Sequence, residues 1–144
     1  MERRLICADN SIWVRVLVEI DQVLAAEAYE WFEVGAIVLA PNLLHYEFSH
    51  VLTRYVRNRV VIPTDGADLL NALLSLDIQL VDDDKLHRRA LSFSMGNPGL
   101  SGYDAQYLAV SERTGAELWT ADKSLAAVSQ RLGVQTRLWV TAPA

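Results

Sequence analysis

Short apolar segments alternate with longer segments of helical periodicity along this 144-residue chain. The predicted strands are residues 5–8, 36–39, 78–81, 117–120 and 136–140. Strands that alternate with helices favour a parallel sheet with helices packed on both faces. No internal repeat or flexible linker divides the chain. We therefore expect an α/β protein, a three-layer α/β/α sandwich with a central, mainly parallel sheet, in one domain over residues 1–144.

The segments between the strands have apolar spacing and end residues typical of helices. They run from after the first strand to about residue 31 with a break near Asp21, and then over 43–58, 64–76, 84–94, 101–114 and 123–132. Thr64, Asp84 and Asp122 are the predicted caps of their helices, because hydroxyl and carboxylate side chains accept from free backbone N–H groups. Functional groups on such a sheet gather at the carboxyl ends of the strands.

Composition excludes several classes of protein. The longest apolar stretch, residues 34–40, is far shorter than the ~20 residues of a membrane-spanning helix. The single Cys7 can form neither an internal disulfide nor a thiolate zinc site. A net charge of −5 argues against non-specific coating of nucleic acids but not against a nuclease, whose carboxylates hold cations. We expect a cytoplasmic protein with no membrane partner.

Four carboxylates stand out by position. Asp9 and Asp122 directly follow predicted strands, Asp104 lies three residues after Ser101, and Glu47 shares an apolar helical stripe. Helix capping explains the three aspartates equally well, since 101–104 has capping-box spacing. Glu47 is harder to explain without function, because a carboxylate on a buried stripe is costly unless it is paired or binds a metal.

A shared pocket for these acids predicts a specific chemistry. Like charges at close range either hold protons or bind cations. All-oxygen ligands favour Mg²⁺ or Mn²⁺ over zinc or copper, and such a site suits metal-assisted hydrolysis of a phosphodiester. Residues 48–64 contain no Asp or Glu but do contain Arg54, Arg57 and Arg59. These arginines either contact an RNA backbone or form a solvated helix end.

Four blocks of the sequence resemble the signature blocks of PIN-domain ribonucleases, and among these the VapC-type toxins of toxin–antitoxin pairs. The blocks are residues 5–11 (LICADNS), 41–47 (PNLLHYE), 101–109 (SGYDAQYLA) and 118–125 (LWTADKSL). They occur in the family's order over nearly the whole chain. Each block is weakly specific alone, and the four together are considerably more so.

The resemblance implies a catalytic quartet that binds Mg²⁺ or Mn²⁺. Its members correspond to Asp9, Glu47, Asp104 and Asp122, with Ser11 and Thr120 as supporting hydroxyls. It further implies an endoribonuclease that leaves a 5′-phosphate and a 3′-hydroxyl, a homodimer, and a VapB-like antitoxin bound in a groove between helices 43–58 and 64–76. The chain departs from the family at Asn10, where small residues are common.

Two alternatives remain at this stage. A receiver-like signalling domain also clusters acids at strand ends, but it would need an acidic pair after the first strand, where this chain has Asp9-Asn10-Ser11. A catalytically idle PIN-like binding domain is the second alternative, although such domains usually lose carboxylates.

Overall fold

A computed structural model describes residues 2–141 and contains one five-stranded parallel sheet. The strands are β1 (Leu5–Ala8), β2 (Ile37–Pro41), β3 (Ile78–Val81), β4 (Glu117–Thr120) and β5 (Thr136–Leu138). Their order across the sheet is β3-β2-β1-β4-β5, and every neighbouring pair is parallel. The central position of β1 explains its composition, since its residues Ile6, Cys7 and Ala8 are fully buried.

Seven helices complete the described part of the chain. They are α1 (Asn10–Leu17), α2 (Gln22–Glu33), α3 (Leu43–Arg57), α4 (Pro63–Ser75), α5 (Asp84–Gly96), α6 (Asp104–Thr114) and α7 (Lys123–Arg131). The chain moves outward from β1 to β3 through α1–α4 and then crosses back to β4, so right-handed connections place α1–α4 on one face and α5–α7 on the other. The expected three-layer α/β/α architecture is confirmed.

The two outer layers meet the sheet through a continuous aromatic and aliphatic core. Trp13 and Trp31 are 0% and 1% exposed, and their rings meet edge to face at 6.1 Å. Trp31 also meets Trp119 of β4 at 4.9 Å, which ties α1 and α2 to the centre of the sheet. Phe48 of α3 is fully buried. None of the helices within residues 2–141 combines the length and apolarity needed to cross a bilayer.

Several predicted boundaries shift in the structure, and each shift has a local cause. Helix α4 begins at Pro63 and not at Thr64, because proline suits the first helical position and lacks the N–H that would be unpaired there. The cap of α5 is Asp83 and not Asp84, since the Asp83 carboxylate accepts from Leu86 N at 2.8 Å. Strand β5 ends at Leu138, two residues before its predicted end.

The start of α6 matters most for function. Residues 101–103 form a turn, and the helix proper begins at Asp104 instead of at Ser101. The Ser101 hydroxyl nevertheless accepts a hydrogen bond from Asp104 N at 3.0 Å, as capping-box spacing predicts. Asp104 therefore lies at the first residue of the helix, beside the carboxyl end of the sheet.

Candidate metal-binding nuclease site

Asp9 occupies the centre of the site, at the carboxyl end of the central strand. It is only 4% exposed, yet its carboxylate accepts three hydrogen bonds. Ser11 Oγ donates at 2.5 Å, Thr120 Oγ1 donates at 2.5 Å, and Ile12 N donates at 3.3 Å as the cap of α1. The capping role considered from the sequence is therefore real, and the capping carboxylate also faces the site.

The two supporting hydroxyls join the ends of β1 and β4. Ser11 Oγ accepts from Ala121 N at 2.9 Å, and Thr120 Oγ1 accepts from Asp122 N at 3.0 Å. Each hydroxyl thus accepts from the β4–α7 connection while it donates to Asp9. The predicted supporting positions, Ser11 and Thr120, form the link that holds Asp9 in a fixed orientation.

Burial dominates the electrostatics of Asp9. It raises the pKa of this carboxyl to about 6, because removing the charged form from water outweighs the hydrogen bonds from Ser11, Thr120 and Ile12. The negative charge of Asp104 raises the pKa of Asp9 further. Within residues 2–141, no lysine or arginine nitrogen lies within 4.0 Å of the Asp9 carboxylate to compensate it.

Asp104 and Asp122 face the same cleft from two helix starts. The Asp122 carboxylate accepts from Ser124 N at 2.8 Å and from Leu125 N at 3.3 Å, so it caps α7. Burial raises the pKa of Asp104, the charge of Asp122 raises it further, and the nearby Ser101 hydroxyl lowers it. The Asp122 carboxylate therefore lies close enough to Asp104 to disfavour its charged form.

Glu47 has a phenol as its partner. Tyr107 Oη donates a hydrogen bond to Glu47 Oε1 at 2.6 Å, which links α3 to α6 across the site. Burial raises the pKa of Glu47, the hydrogen bond from Tyr107 lowers it, and the charge of Asp104 raises it. Burial and the adjacent Glu47 charge also raise the pKa of Tyr107, so its hydroxyl stays a donor.

All four predicted carboxylates line one cleft of about 290 Å³, here called the acidic cleft. Its other lining side chains include Asn10, Ser11, Arg15, Arg54 and Tyr107. Asn10, the departure from the family pattern, lies between the carboxylates and the neighbouring surface. In the part of the chain that the structure describes, its buried Oδ1 has no hydrogen-bond partner.

The donor set fits a hard divalent cation. The cleft offers carboxylate and hydroxyl oxygens with neither thiolate nor imidazole. A bound cation would relieve the repulsion of Asp9 by Asp104 and of Asp104 by Asp122. Across residues 2–141, no three or more His, Cys, Asp or Glu side chains are arranged as a group that could hold a metal ion. Mg²⁺ does not require three protein ligands, because it keeps several waters and binds one or two carboxylates directly.

The three predicted RNA-contacting arginines separate in the structure. Arg54 lines the acidic cleft, whereas Arg57 lines a different, apolar groove between α3 and α4. Arg59 lies beyond the end of α3 with a positive φ of 59° and lines neither. Only Arg54 is placed to meet a substrate at the carboxylates.

Sequence reasoning missed two residues of the site. Arg15 of α1 lines the cleft beside Arg54, and Tyr107 holds Glu47. Tyr107 lies three residues after Asp104, so helical spacing alone would place both on one face of α6. Arg15 lies four residues after Ser11 on α1 and donates to Ser11 O at 3.2 Å, so the same spacing would place it near the cleft, although its position relative to Arg54 depends on how α1 packs against α3.

The PIN domain family model matches residues 6–130, which is most of the chain. The chain belongs to the PIN domain family. A comparison with curated protein sequences gave no match. The sequence expectation of a PIN domain is thus confirmed.

Several solved structures share the fold of this chain at low sequence identity. VapBC2 from Rickettsia felis, bound to a promoter DNA fragment, has a TM-score of 0.70 at 10% identity over 94% of this chain and 99% of that one. PAE2754 from Pyrobaculum aerophilum has a TM-score of 0.65 at 24% identity, covering 93% and 83%. Mycobacterium tuberculosis VapC20, a sarcin–ricin loop cleaving toxin, has a TM-score of 0.64 at 19% identity, covering 85% and 93%.

Proposed function

We propose that this PIN domain is a Mg²⁺- or Mn²⁺-dependent endoribonuclease. The observation that carries the proposal is the meeting of Asp9, Glu47, Asp104 and Asp122 in one cleft at the carboxyl edge of a parallel sheet. Ion pairs do not account for them, since none of the four has a lysine or arginine within 4.0 Å in the described residues. Carboxylates with a purely structural role in one partly buried cleft would ordinarily be paired with a basic side chain.

Asp9 and Asp104 are the proposed direct metal ligands, and Glu47 and Asp122 bind directly or through water. A bound divalent cation would lower the pKa of a water molecule and stabilise the charge that develops on the phosphate. Ser11 and Thr120 hold the Asp9 carboxylate in one orientation. Tyr107 engages one oxygen of Glu47, and we assign the other oxygen to orienting the attacking water.

The sheet order argues against the receiver-like alternative. Receiver domains have the flavodoxin-like order 2-1-3-4-5, whereas this sheet has the order β3-β2-β1-β4-β5. A catalytically idle PIN-like binding domain would share the observed fold, and activity measurements separate it from the nuclease.

Cleavage of single-stranded and structured RNA with and without a chelator tests the nuclease. We expect the parent protein to cut RNA with Mg²⁺ or Mn²⁺ and to leave a 5′-phosphate, and we expect Asp9→Asn and Asp104→Asn to abolish cutting while the fold is retained. Asp68→Asn, an exposed aspartate on α4 outside the cleft, is the matched control. Cutting at the parent rate by both cleft variants would disprove the assignment of the site.

We further propose that the protein is the toxin of a VapBC-type pair in the cytoplasm, where it acts as a homodimer. A groove of about 410 Å³ between α3 and α4 supports this proposal, because an apolar segment of a partner protein could bind there, as the family resemblance implies. Leu52, Val56, Ala67 and Leu70 are among the side chains that line it, and they suit a VapB-like helix that binds with its apolar face.

Neutralisation tests the pairing. We expect a small reading frame directly upstream to encode an antitoxin that co-purifies with this chain and blocks its RNA cleavage. Leu70→Glu, which places a charge in the groove, should weaken the complex without changing free-enzyme cleavage. If the antitoxin still inhibited Leu70→Glu fully, its binding site would lie on another surface of the protein.

A further inference from the structure

Two exposed tyrosines stand directly beside two of the site carboxylates in the chain. Tyr46 precedes Glu47 on α3, and Tyr103 precedes Asp104 at the start of α6. Adjacent Cα atoms are about 3.8 Å apart, so each tyrosine is fixed to the rim of the acidic cleft by its backbone. Tyr46 is 72% exposed and Tyr103 is 66% exposed, which is far more than a core tyrosine would be.

The two tyrosines line the same hollows. A cavity of about 470 Å³, here called the tyrosine hollow, lies next to the acidic cleft and is lined by both rings and by Leu43 and His50. The tyrosine hollow and the acidic cleft share Asn10, Glu47 and Val51 in their walls. Beyond the rings, an outer hollow of about 290 Å³ again includes both tyrosines. The surface therefore forms one continuous path that runs from the carboxylates past the two rings.

The path has different chemistry at its two ends. Arg15 and Arg54 line the acidic cleft and are absent from the walls of the tyrosine hollow. The tyrosine hollow instead presents mainly apolar and aromatic surface. A nucleic-acid strand whose backbone phosphates lie in the acidic cleft and whose exposed flat bases lie against the two rings matches this arrangement.

We propose that Tyr46 and Tyr103 form a base-stacking clamp that positions unpaired nucleotides of the RNA beside the carboxylates. This inference rests on the proposed nuclease function. A nucleobase in a duplex is stacked on its neighbours and cannot enter the hollow, whereas a base in a single strand or loop can stack on an aromatic ring. The clamp selects for unpaired RNA without reading a particular base, since every base offers a π-face.

Cleavage kinetics test the clamp with a single-stranded RNA that the parent protein cuts, selected from a randomised pool. We expect Tyr46→Ala and Tyr103→Ala each to raise KM about tenfold and to change kcat less than threefold, because a stacked base contributes to binding without touching the reacting phosphate. Tyr46→Phe and Tyr103→Phe should behave as the parent, because the ring is retained. The same RNA annealed to its complement should resist cleavage.

The control is Tyr29→Ala, an exposed tyrosine on α2 that lines none of the three hollows. A 2-aminopurine next to the cleaved bond adds a direct readout, since stacking on a tyrosine should quench its fluorescence in the parent and not in the alanine variants. Unchanged KM and unchanged quenching in both alanine variants would overturn the clamp. If these variants instead lost the ability to form a complex with another protein, the tyrosine hollow would be a protein-binding surface and the clamp would be wrong. Failure of the parent to cut any RNA would instead defeat the nuclease proposal.

Discussion

Asp9→Asn should stabilise the metal-free protein while it abolishes cleavage. The raised pKa of Asp9, from 3.8 to about 6, means that folding carries the cost of a buried charge above that pH. At about 1.4 kcal/mol per pKa unit, the cost is about 3 kcal/mol at neutral pH. Asparagine removes the charge but loses one acceptor for Ser11 or Thr120, at about 1 kcal/mol. The expected net gain is about 2 kcal/mol.

Thermal and urea unfolding in the presence of a chelator measure this gain. For a chain of this size, 2 kcal/mol corresponds to a rise in Tm of about 4–8 °C. Folded Asp9 holds its proton to a higher pH than unfolded Asp9. The destabilisation caused by the buried charge is therefore absent below the unfolded pKa of 3.8 and complete above about 6. The advantage of Asp9→Asn should therefore be full near pH 7 and disappear as the pH falls towards about 4.

Added Mg²⁺ should reverse the comparison, because a ligand that binds only the folded state stabilises the parent protein and not a variant without the ligand side chain. Asp68→Asn, exposed on α4, should stay within about 0.5 kcal/mol of the parent at every pH. The reasoning is refuted if Asp9→Asn is less stable than the parent at pH 7.5 without metal, or if the difference is the same at pH 4 and pH 7.5.

Three further predictions concern Asp9, the contact between Tyr107 and Glu47, and the core residue Phe48. At a limiting metal concentration, the cleavage rate should fall as the pH drops through about 6, because protons compete with the cation for Asp9; a pH–rate profile at limiting metal that is flat from pH 8 to pH 5 would contradict this. Tyr107→Phe should lower kcat about tenfold and add a loss of rate on the acidic side that Asp9 alone does not cause, since Glu47 loses the hydrogen bond that lowers its pKa; a parent-like kcat would argue against its role. Phe48→Ala should cost about 3–5 kcal/mol in urea unfolding because Phe48 is fully buried, and a loss below 1 kcal/mol would contradict the core assignment.

The strands were the most predictable part of the fold. The bounds of β1, β3 and β4 match the prediction because short apolar runs between turn residues allow few alternatives. Helix starts were less predictable where several caps compete. Residues 82–84 are three consecutive aspartates, and Asp83 becomes the cap in a geometry where its carboxylate also pairs with Arg113 of α6. That partner lies 30 residues away, so local spacing could not select it.

The candidate site was also predictable only in part from the sequence. Residue spacing suggested each carboxylate, and the sheet order that brings them together was not readable from the pattern. Tyr107 and Glu47 are 60 residues apart, and their side chains meet only because α3 and α6, on opposite faces of the sheet, both reach its carboxyl edge. The separation of Arg57 from Arg54 has a simpler cause. Residues three apart lie on neighbouring parts of one helix surface. The Arg57 side chain lines the groove between α3 and α4, whereas the Arg54 side chain lines the acidic cleft.

The capping and site roles of the aspartates are one arrangement. Asp9 and Asp122 accept backbone N–H groups at the starts of α1 and α7, and these contacts fix where each carboxylate points. Alanine at either position removes the cap together with the proposed ligand, so it mixes a loss of stability with a loss of activity. Asparagine at position 9 retains an oxygen for the cap and removes the charge, with the loss of one acceptor for Ser11 or Thr120. A fall in cleavage that accompanies equal or greater stability in Asp9→Asn would therefore assign the charge to the reaction and the oxygen to the fold.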